Sequence, residues 1–247
     1  MIDLHCHILP NADDGSQSPA QSLRMARMAV RAGVTVMAAT PHTNIPRIFE
    51  NYASEELDAR FDELRALLRQ AGIPLDVRRG AEIFCDGDVA DLLRRGAVST
   101  LDGTRYPLVE FSFHDRPMRV LSVLQDLLDA GCCPVIAHPE RYRFVQRDPD
   151  GLLPIFAEMG CVLQMNKGSP LGRFGPAVQR TALRMLDQGL VHIVASDAHS
   201  DLQRTPWLAD CYDFLQEHYG SGCPHLLLER NPAHILNDEP VESVFDI

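Results

Sequence analysis

The chain has 247 residues and a mass of 27.5 kDa, and its 34 acidic residues against 23 Lys and Arg give a formal net charge of −11. This length is sufficient for one large α/β domain. The acidic balance argues against a nucleic-acid-binding protein, because binding a phosphate backbone requires a positively charged surface. No run of about eighteen apolar residues occurs, so we expect no transmembrane helix and no direct insertion into a membrane.

Predicted helices and strands alternate along the chain. Ser18 as N-cap, Pro19 at the first helical position and Gly33 beyond the end predict a helix. Residues 34–40 then predict a buried strand, and residues 54–72 a second amphipathic helix. The alternation continues through PLDVRRGAEIF, DVADLLRRG, YPLVEF, MRVLSVLQDLLDAG, PVIAHP, a helix near 150–159, CVLQM, a helix after Phe174, and VHIVASD.

Six or seven such strand–helix units, without a linker between them, predict one domain over residues 1–247 with a parallel barrel fold. An open, doubly wound sheet is the alternative arrangement. The residues after His199 are expected to form closing helices. His192, at the start of the last strand, is expected at the barrel end opposite the active site, in a structural role.

The seven cysteines suggest neither disulfides nor thiol catalysis. No CxxC pair occurs among them, and no signal peptide precedes the first predicted strand, so we expect reduced thiols in a cytoplasmic protein. None is followed by arginine at the sixth position, which excludes the phosphate-binding loop of cysteine-dependent phosphatases. We expect the cysteines to be small buried apolar side chains.

His5 and His7 are separated by one residue in the first predicted strand. Side chains at i and i+2 of a strand point to the same side, so both imidazoles face one place while Cys6 faces the other. Taken alone, the pair is explained by metal binding or by solvation and ordinary hydrogen bonds. The other strands decide between these interpretations.

Acidic residues and histidines recur where the other predicted strands end. Asp13 and Asp14 follow the first strand, and later strand ends carry His42, Glu82, Glu110, His138, Asp197 and His199. The C-terminal ends of barrel strands converge, so these side chains are expected to meet. Burying them there is costly unless they are paired or bound to metal. We therefore predict a site with nitrogen and oxygen ligands, for which manganese, iron, zinc and magnesium are candidates.

The number of these residues also bears on the reaction. They exceed the needs of one ion and fit two or three ions that share carboxylates. That arrangement activates water and stabilises an in-line displacement at phosphorus, so phosphoester hydrolysis is the predicted chemistry.

The order and content of the motifs resemble the polymerase and histidinol phosphatase (PHP) superfamily. The motifs are HCHILPNADDG, ATPHT, GAE, VEF, AHPERY, GSPLGRFG and SDAHSDLQR. They are most similar to the bacterial manganese-dependent protein-tyrosine phosphatases of capsule and exopolysaccharide operons. The resemblance implies a single-domain distorted (β/α)7 barrel with a trinuclear metal site, holding manganese, or alternatively iron, zinc or magnesium.

The resemblance also implies the roles of individual residues. The metal ligands would be His5, His7, Asp14, His42, Glu82, Glu110, His138, Asp197 and His199. Asp14 is preferred over Asp13 because the family pattern places the ligand directly before the glycine. Arg141 and Arg204 match arginines that hold the phosphate, although by itself Arg141 is equally explained by a surface pair with Glu140. Lys167 and the loop HTNIPRIFENY depart from the family pattern and leave the substrate preference open.

The implied reaction is attack on phosphorus by a metal-bridging hydroxide, without a covalent phosphoenzyme. The implied substrate is phosphotyrosine in the C-terminal region of an autophosphorylated, membrane-associated tyrosine kinase that controls capsule synthesis. Two alternatives stand beside it: a PHP phosphatase of a small metabolite such as histidinol phosphate, and a catalytically silent, metal-binding regulatory domain. The general acid, the native metal and the oligomeric state are not determined by the sequence.

Overall fold

The computed structural model describes residues 1–242, which form a parallel β/α structure. Its strands are β1 (Ile2–Cys6), β2 (Val36–Ala39), β3 (His42–Thr43), β4 (Asp76–Arg79), β5 (Glu82–Phe84), β6 (Leu108–Glu110), β7 (Val135–Ala137), β8 (Val162–Asn166) and β9 (Ile193–Ala195). Its α-helices are α1 (Pro19–Arg31), α2 (Glu55–Gln70), α3 (Val89–Arg94), α4 (Pro117–Asp129), α5 (Arg143–Arg147), α6 (Pro149–Glu158), α7 (Pro176–Asp187), α8 (Ala209–Tyr219), α9 (Gly222–His225) and α10 (Asn231–Leu236). A π-helical segment, Leu226–Arg230, joins the last two helices.

The first two helices begin where the sequence predicts. The hydroxyl of Ser18 accepts a hydrogen bond from the Gln21 N–H at 3.2 Å, and α1 starts at Pro19. Ser54 accepts from the Leu57 N–H at 3.2 Å in the same way before α2. Each side chain satisfies one of the free N–H groups of a helix start. Among the described helices, none is long and apolar enough to cross a membrane.

The strands form two parallel sheets, in the orders β1-β2-β4 and β3-β5-β6-β7-β8-β9. The segment PLDVRRGAEIF, predicted as one strand, is interrupted at Gly80 and Ala81 and contributes β4 to one sheet and β5 to the other. A short β3 likewise follows β2 after Pro41, which has no N–H to continue the ladder. Counting each interrupted segment once, seven strands succeed one another, and the seven-stranded distorted barrel is confirmed.

The two ends of the chain of strands meet. The Asp197 N–H donates to the His5 carbonyl at 2.8 Å, and the His7 N–H donates to the Ala198 carbonyl at 2.9 Å. Cys6 and Ala198 form a parallel bridge beside them. This contact between the ends of β1 and β9 closes the barrel, so the alternative of an open, doubly wound sheet is wrong.

The barrel interior changes character along its axis. Its N-terminal part is filled by small and branched apolar side chains, and Ile235 of α10 and Tyr106 pack against this cluster. The cluster takes its members from six strands, namely Leu4 of β1, Ala38 of β2, Leu108 of β6, Val135 and Ala137 of β7, Val162 of β8 and Ile193 of β9. Polar side chains replace them at the C-terminal ends of the same strands, which positions the site described next.

Candidate metal centre

The HxH pair lies at the end of β1, as the two-residue period of a strand requires. His5 and His7 are fully buried, and their Nε2 atoms are 3.2 Å apart. The intervening Cys6 points to the other side and joins the hydrophobic core. The strand therefore aims both imidazoles into the C-terminal mouth of the barrel.

Candidate ligands form three compact groups in this mouth. Within each group the ligand atoms lie within 4.8 Å of one another. The groups are His7, Asp14, His42 and His199; His5, His7 and Glu82; and His42, Glu82 and Glu110. Each pair of groups shares one residue, namely His7, His42 or Glu82. The three groups thus form one continuous site, as ions that share ligands require.

The remaining two predicted ligands contact these groups without belonging to them. Nε2 of His138 lies 3.1 Å from Oε1 of Glu82 and 3.6 Å from Oε1 of Glu110. Oδ1 of Asp197 lies 3.5 Å from Nε2 of both His5 and His7. His138 and Asp197 both have positive φ, at 35° and 48°. Left-handed backbone at non-glycine residues is costly and concentrates at functional sites.

Polar atoms without partners test whether these residues fit metal ions. Among the described residues, His138 Nδ1 and Asp197 Oδ1 are buried without a hydrogen-bond partner. His42 Nδ1 and Glu82 Oε2 lie 2.9 Å apart but do not form a well-aligned hydrogen bond. Leaving a buried polar atom unsatisfied costs about 1–3 kcal/mol. Imidazole nitrogens and carboxylate oxygens are the donors that Mn²⁺, Fe and Zn²⁺ accept together. The cluster therefore fits a group of divalent ions.

The carboxylates and imidazoles of the cluster shift one another's pKa values. Burial is outweighed by nearby carboxylates, which raise the pKa values of His5, His7 and His42, so these imidazoles must release a proton to bind a metal ion. Burial opposes the charged form of Glu82, but His5 and His42 outweigh it and hold the pKa of Glu82 well below its usual value. A hydrogen bond from His199 lowers the pKa of Asp14 to about 2. Burial and the neighbouring Glu82 raise the pKa of Glu110 to about 8, so at neutral pH Glu110 is protonated while Glu82 is ionised, until a bound cation displaces the proton. Burial lowers the pKa of His138 to about 4, which keeps the imidazole neutral as a ligand must be.

Three polar residues outside the predicted set orient these ligands. Oδ2 of Asp13 lies 2.6 Å from Nδ1 of His7, and Oε1 of Gln164 lies 2.9 Å from Nδ1 of His5. Asn166 donates to Oδ2 of Asp197 at 2.6 Å. Sequence reasoning missed Gln164 and Asn166, although their i and i+2 spacing in the otherwise apolar β8 is the same signal as the HxH pair.

Both predicted phosphate-binding arginines converge on one carboxylate oxygen. Nη1 of Arg141 lies 3.0 Å from Oδ2 of Asp197, and Nη2 of Arg204 lies 2.5 Å from the same oxygen. The other oxygen of Asp197 faces the histidines. The alternative pairing of Arg141 with Glu140 is wrong, because Glu140 is buried and accepts instead from the Asn166 N–H and the Ser169 hydroxyl. The two guanidinium groups thus lie directly beside the candidate metal ligands.

The two departures from the family pattern lie in different places. Lys167 is buried behind the site, with Nζ 3.5 Å from Oδ1 of Asp210 and no contact with the candidate ligands among the ion pairs of residues 1–242. The loop after β3 borders the site directly, since the ring of Phe49 stacks on His42 at 5.8 Å. Of the two departures, the loop therefore contacts a candidate ligand, whereas Lys167 pairs with Asp210.

Known proteins resemble this chain over nearly its whole length. The sequence profile for capsular polysaccharide synthesis, CpsB/CapC, matches residues 1–237. The tyrosine-protein phosphatase YwqE of Bacillus subtilis is 39% identical over 241 residues, which cover 98% of this chain and 93% of YwqE. The tyrosine-protein phosphatase CpsB of Streptococcus pneumoniae is 31% identical over 244 residues, which cover 97% of this chain and 99% of CpsB.

Solved structures agree with these matches. A crystal structure from a study of YwqE and CpsB as metal-dependent tyrosine phosphatases has a TM-score of 0.90 at 37% identity, covering 98% of this chain and 97% of that chain. A histidinol phosphate phosphatase of Lactococcus lactis has a TM-score of 0.57 at 14% identity, covering 89% and 93%, and shares the fold alone. The chain therefore belongs to the CpsB/CapC family of capsular polysaccharide synthesis.

Proposed function

We propose that this protein is a metal-dependent protein-tyrosine phosphatase that hydrolyses phosphotyrosine in proteins. The observation that carries the proposal is the set of three linked ligand groups beside Arg141 and Arg204. It occurs in a chain whose full-length relatives are tyrosine-protein phosphatases. A catalytically silent domain is disfavoured, because every predicted ligand position still carries a donor side chain.

We further propose that nine residues bind up to three ions, with manganese as the native metal. The ligands are His5, His7, Asp14, His42, Glu82, Glu110, His138, Asp197 and His199. Bound ions supply hydroxide at neutral pH, because coordination lowers the pKa of water from about 15.7 towards 7. The mixture of imidazole and carboxylate donors supports manganese and equally admits iron or zinc, so reconstitution with each metal belongs to the test.

The arginines act on the phosphate. A guanidinium presents parallel N–H donors that match two phosphate oxygens, and Asp197 holds Arg141 and Arg204 on one side of the cluster. Nε of Arg204 is buried and, among the described residues, without a hydrogen-bond partner. A tyrosine leaving group has a pKa of about 10 and needs less protonation than an alkoxide. A general acid is therefore needed less than for an alkyl ester, and we assign none.

The biological setting is proposed from the family. We assign the substrate to the C-terminal region of an autophosphorylated, membrane-associated tyrosine kinase that controls capsule or exopolysaccharide synthesis, and the protein to the cytoplasm. Unpaired thiols at all seven cysteines support a reducing compartment. The whole chain, residues 1–247, is proposed to act as one domain, since the first and last strands close a single barrel.

The test is phosphate release from a phosphotyrosine peptide, a phosphoserine peptide and histidinol phosphate by metal-reconstituted protein. Each substrate is measured with manganese, iron, zinc and magnesium, and after chelation. We expect chelator-sensitive hydrolysis with preference for phosphotyrosine, and its loss in Arg141→Ala and Arg204→Ala. Arg180→Ala, which removes an exposed arginine of α7, is the matched control and should behave as the wild type.

Each contrary outcome has a defined meaning. Preference for histidinol phosphate would replace the protein substrate with a metabolite while leaving the metal site intact. If metal-loaded protein released no phosphate from any of the three substrates, the proposal that it is an enzyme would be contradicted. Wild-type turnover by a folded Arg141→Ala variant would remove that arginine from phosphate binding.

A further inference from the structure

Two phenylalanine rings contact the guanidinium of Arg141. Its Cζ lies 5.0 Å from the ring centroid of Phe113 and 4.8 Å from that of Phe174. Both rings are half-buried, one in the loop after β6 and the other in the loop between β8 and α7. A guanidinium within about 6 Å of a ring face is attracted by the negative charge density of the ring. Within residues 1–242, the same arginine thus has one ionic partner, Asp197, and two aromatic ones.

The loop that carries Phe174 is anchored independently of Arg141. Ser169 donates its hydroxyl to the buried Glu140 at 2.7 Å, next to Arg141 in the chain. On the other side of the loop, Arg173 binds Oδ2 of Asp210 while the buried Lys167 approaches Oδ1 of the same carboxylate at 3.5 Å. These contacts anchor both ends of the loop without using the guanidinium of Arg141.

Close packing within the loop restricts the ring further. A Cβ at Gly168 would lie 3.0 Å from the Phe174 ring, so the ring occupies the space left by that glycine. This contact holds the ring from the side of the loop backbone, while the guanidinium of Arg141 lies 4.8 Å from its centroid.

Phe113 is held in a comparable way. Its carbonyl accepts from the Arg143 N–H at 3.0 Å, which ties this loop to the segment that carries Arg141. Its ring meets His138 edge-on, with centroids 6.0 Å apart and planes at 82°. Phe113 therefore joins a candidate metal ligand to the candidate phosphate-binding arginine.

We propose that Phe113 and Phe174 are positioning residues that set the plane of the Arg141 guanidinium at the phosphate-binding side of the site. The hydrogen bond to Asp197 fixes one nitrogen and leaves rotation about it free, whereas two fixed rings restrict the plane of the whole group. Since an arginine side chain otherwise populates many rotamers, this restriction lowers the entropy lost when phosphate binds. The inference rests on the proposed role of Arg141 as a phosphate ligand.

The test compares Phe174→Leu, Phe174→Trp and Phe113→Leu in the metal-loaded protein. Two quantities are measured, namely kcat and KM for the phosphotyrosine peptide and the affinity for inorganic phosphate by calorimetry. The leucine variants should weaken phosphate binding about tenfold and raise KM more than they lower kcat, which matches the usual strength of a guanidinium–ring contact. Phe174→Trp keeps a ring face and should retain near wild-type affinity.

A double-mutant cycle separates positioning from general damage. In an Arg141→Ala background, Phe174→Leu should have no further effect on phosphate affinity, because the group it positions is gone. Phe214→Leu, the same change at a half-buried ring of α8, is the matched control and should leave phosphate affinity and KM unchanged. Circular dichroism checks that each variant is folded.

The outcomes are distinguishable. Equal losses from Phe174→Leu with and without Arg141, or equal behaviour of the leucine and tryptophan variants, would overturn the positioning role. Failure of the wild type to hydrolyse phosphotyrosine would contradict the proposed function instead, while the phosphate-binding comparison would still decide whether the two rings act through Arg141.

Discussion

Asp13 and His7 form a buried carboxylate–imidazole pair, with Oδ2 of Asp13 2.6 Å from Nδ1 of His7. The same carboxylate accepts the backbone N–H groups of His42 and Gly15, at 2.8 and 2.9 Å. The pair fixes the proton of His7 on Nδ1 and leaves Nε2 directed at the cluster. Asp13 therefore orients a candidate ligand, while the neighbouring Asp14 reaches His42 and His199 at 3.6 and 3.5 Å.

Replacing Asp13 with asparagine should weaken metal binding. Every oxygen of Asp13 accepts a hydrogen bond, so an amide NH₂ at either position faces another donor. Loss of such an orienting partner typically lowers metal affinity about 10- to 100-fold. Competition with a chelator of known affinity measures the change. Asp62→Asn, at a 78% exposed carboxylate of α2, is the control, and equal affinities in both variants would contradict an orienting role for Asp13.

Gly15 should not tolerate a side chain. A Cβ at this position would lie 2.3 Å from both Cβ and the carbonyl oxygen of His7, so the loop or the histidine must move. We expect Gly15→Ala to lower the free energy of unfolding by about 1–3 kcal/mol, as overpacking does, and to weaken metal binding. Thermal unfolding and metal titration measure these effects. Gly222→Ala, where a Cβ meets no atom within 4 Å, should be close to neutral, and a neutral Gly15→Ala would contradict the packing argument.

The sequence predicts most of this architecture because strand periodicity and helix caps are local signals. HxH, the N-caps Ser18 and Ser54, and the succession of strand ends all act within a few residues. The interruption of the strand at Gly80 is not local, because it depends on which sheet each half joins. The two-residue β3 is too short to leave a periodic pattern at all.

In the candidate site, too, some features follow from local sequence patterns and others depend on contacts between distant segments. That acids and histidines converge follows from the barrel, but the roles of Asp13 and Asp14 depend on which side chain the turn buries. The partner of Arg141 likewise depends on contacts between distant segments. Glu140 is adjacent to Arg141 in sequence, yet its carboxylate accepts hydrogen bonds from Asn166 and Ser169. Arg141 donates to Asp197 instead. Charge pairs between neighbours in sequence are therefore weak predictions.

Chelation should abolish activity, whereas thiol alkylation should leave it unchanged. Five of the seven cysteines are buried, and burial raises the pKa of Cys223 to about 11 and that of Cys161 to about 12, which suppresses the reactive thiolate. The half-buried Cys132 and Cys133 precede β7, at the barrel end opposite the site. We expect phosphotyrosine hydrolysis to survive iodoacetamide at pH 8 and to stop on chelation. Loss of activity on alkylation of the metal-loaded protein would contradict this.

His192 makes stability depend on pH at the opposite end of the barrel. Its Nδ1 accepts the Leu163 N–H at 3.0 Å, and burial lowers the pKa of His192 to about 4. In the unfolded chain the pKa is near 6.5, so between pH 6.5 and 4 the unfolded state binds a proton that the folded state does not. The contribution of neutral His192 to the stability of the folded state is therefore complete above pH 6.5 and is lost as the pH falls to about 4.

His192→Asn should remove this pH dependence, because the asparagine oxygen can accept from the Leu163 N–H and does not titrate. At about 1.36 kcal/mol per pKa unit, the wild type should lose about 3 kcal/mol more than the variant between pH 6.5 and 4. Urea unfolding of both proteins at intervals of pH measures the difference, in which other titrating groups cancel. Since metal ligands also protonate in this range, both proteins are compared at the same metal loading. If the free energy of unfolding changed with pH equally in both proteins, the prediction would be contradicted. His192 would then take up a proton in the folded state as readily as in the unfolded chain.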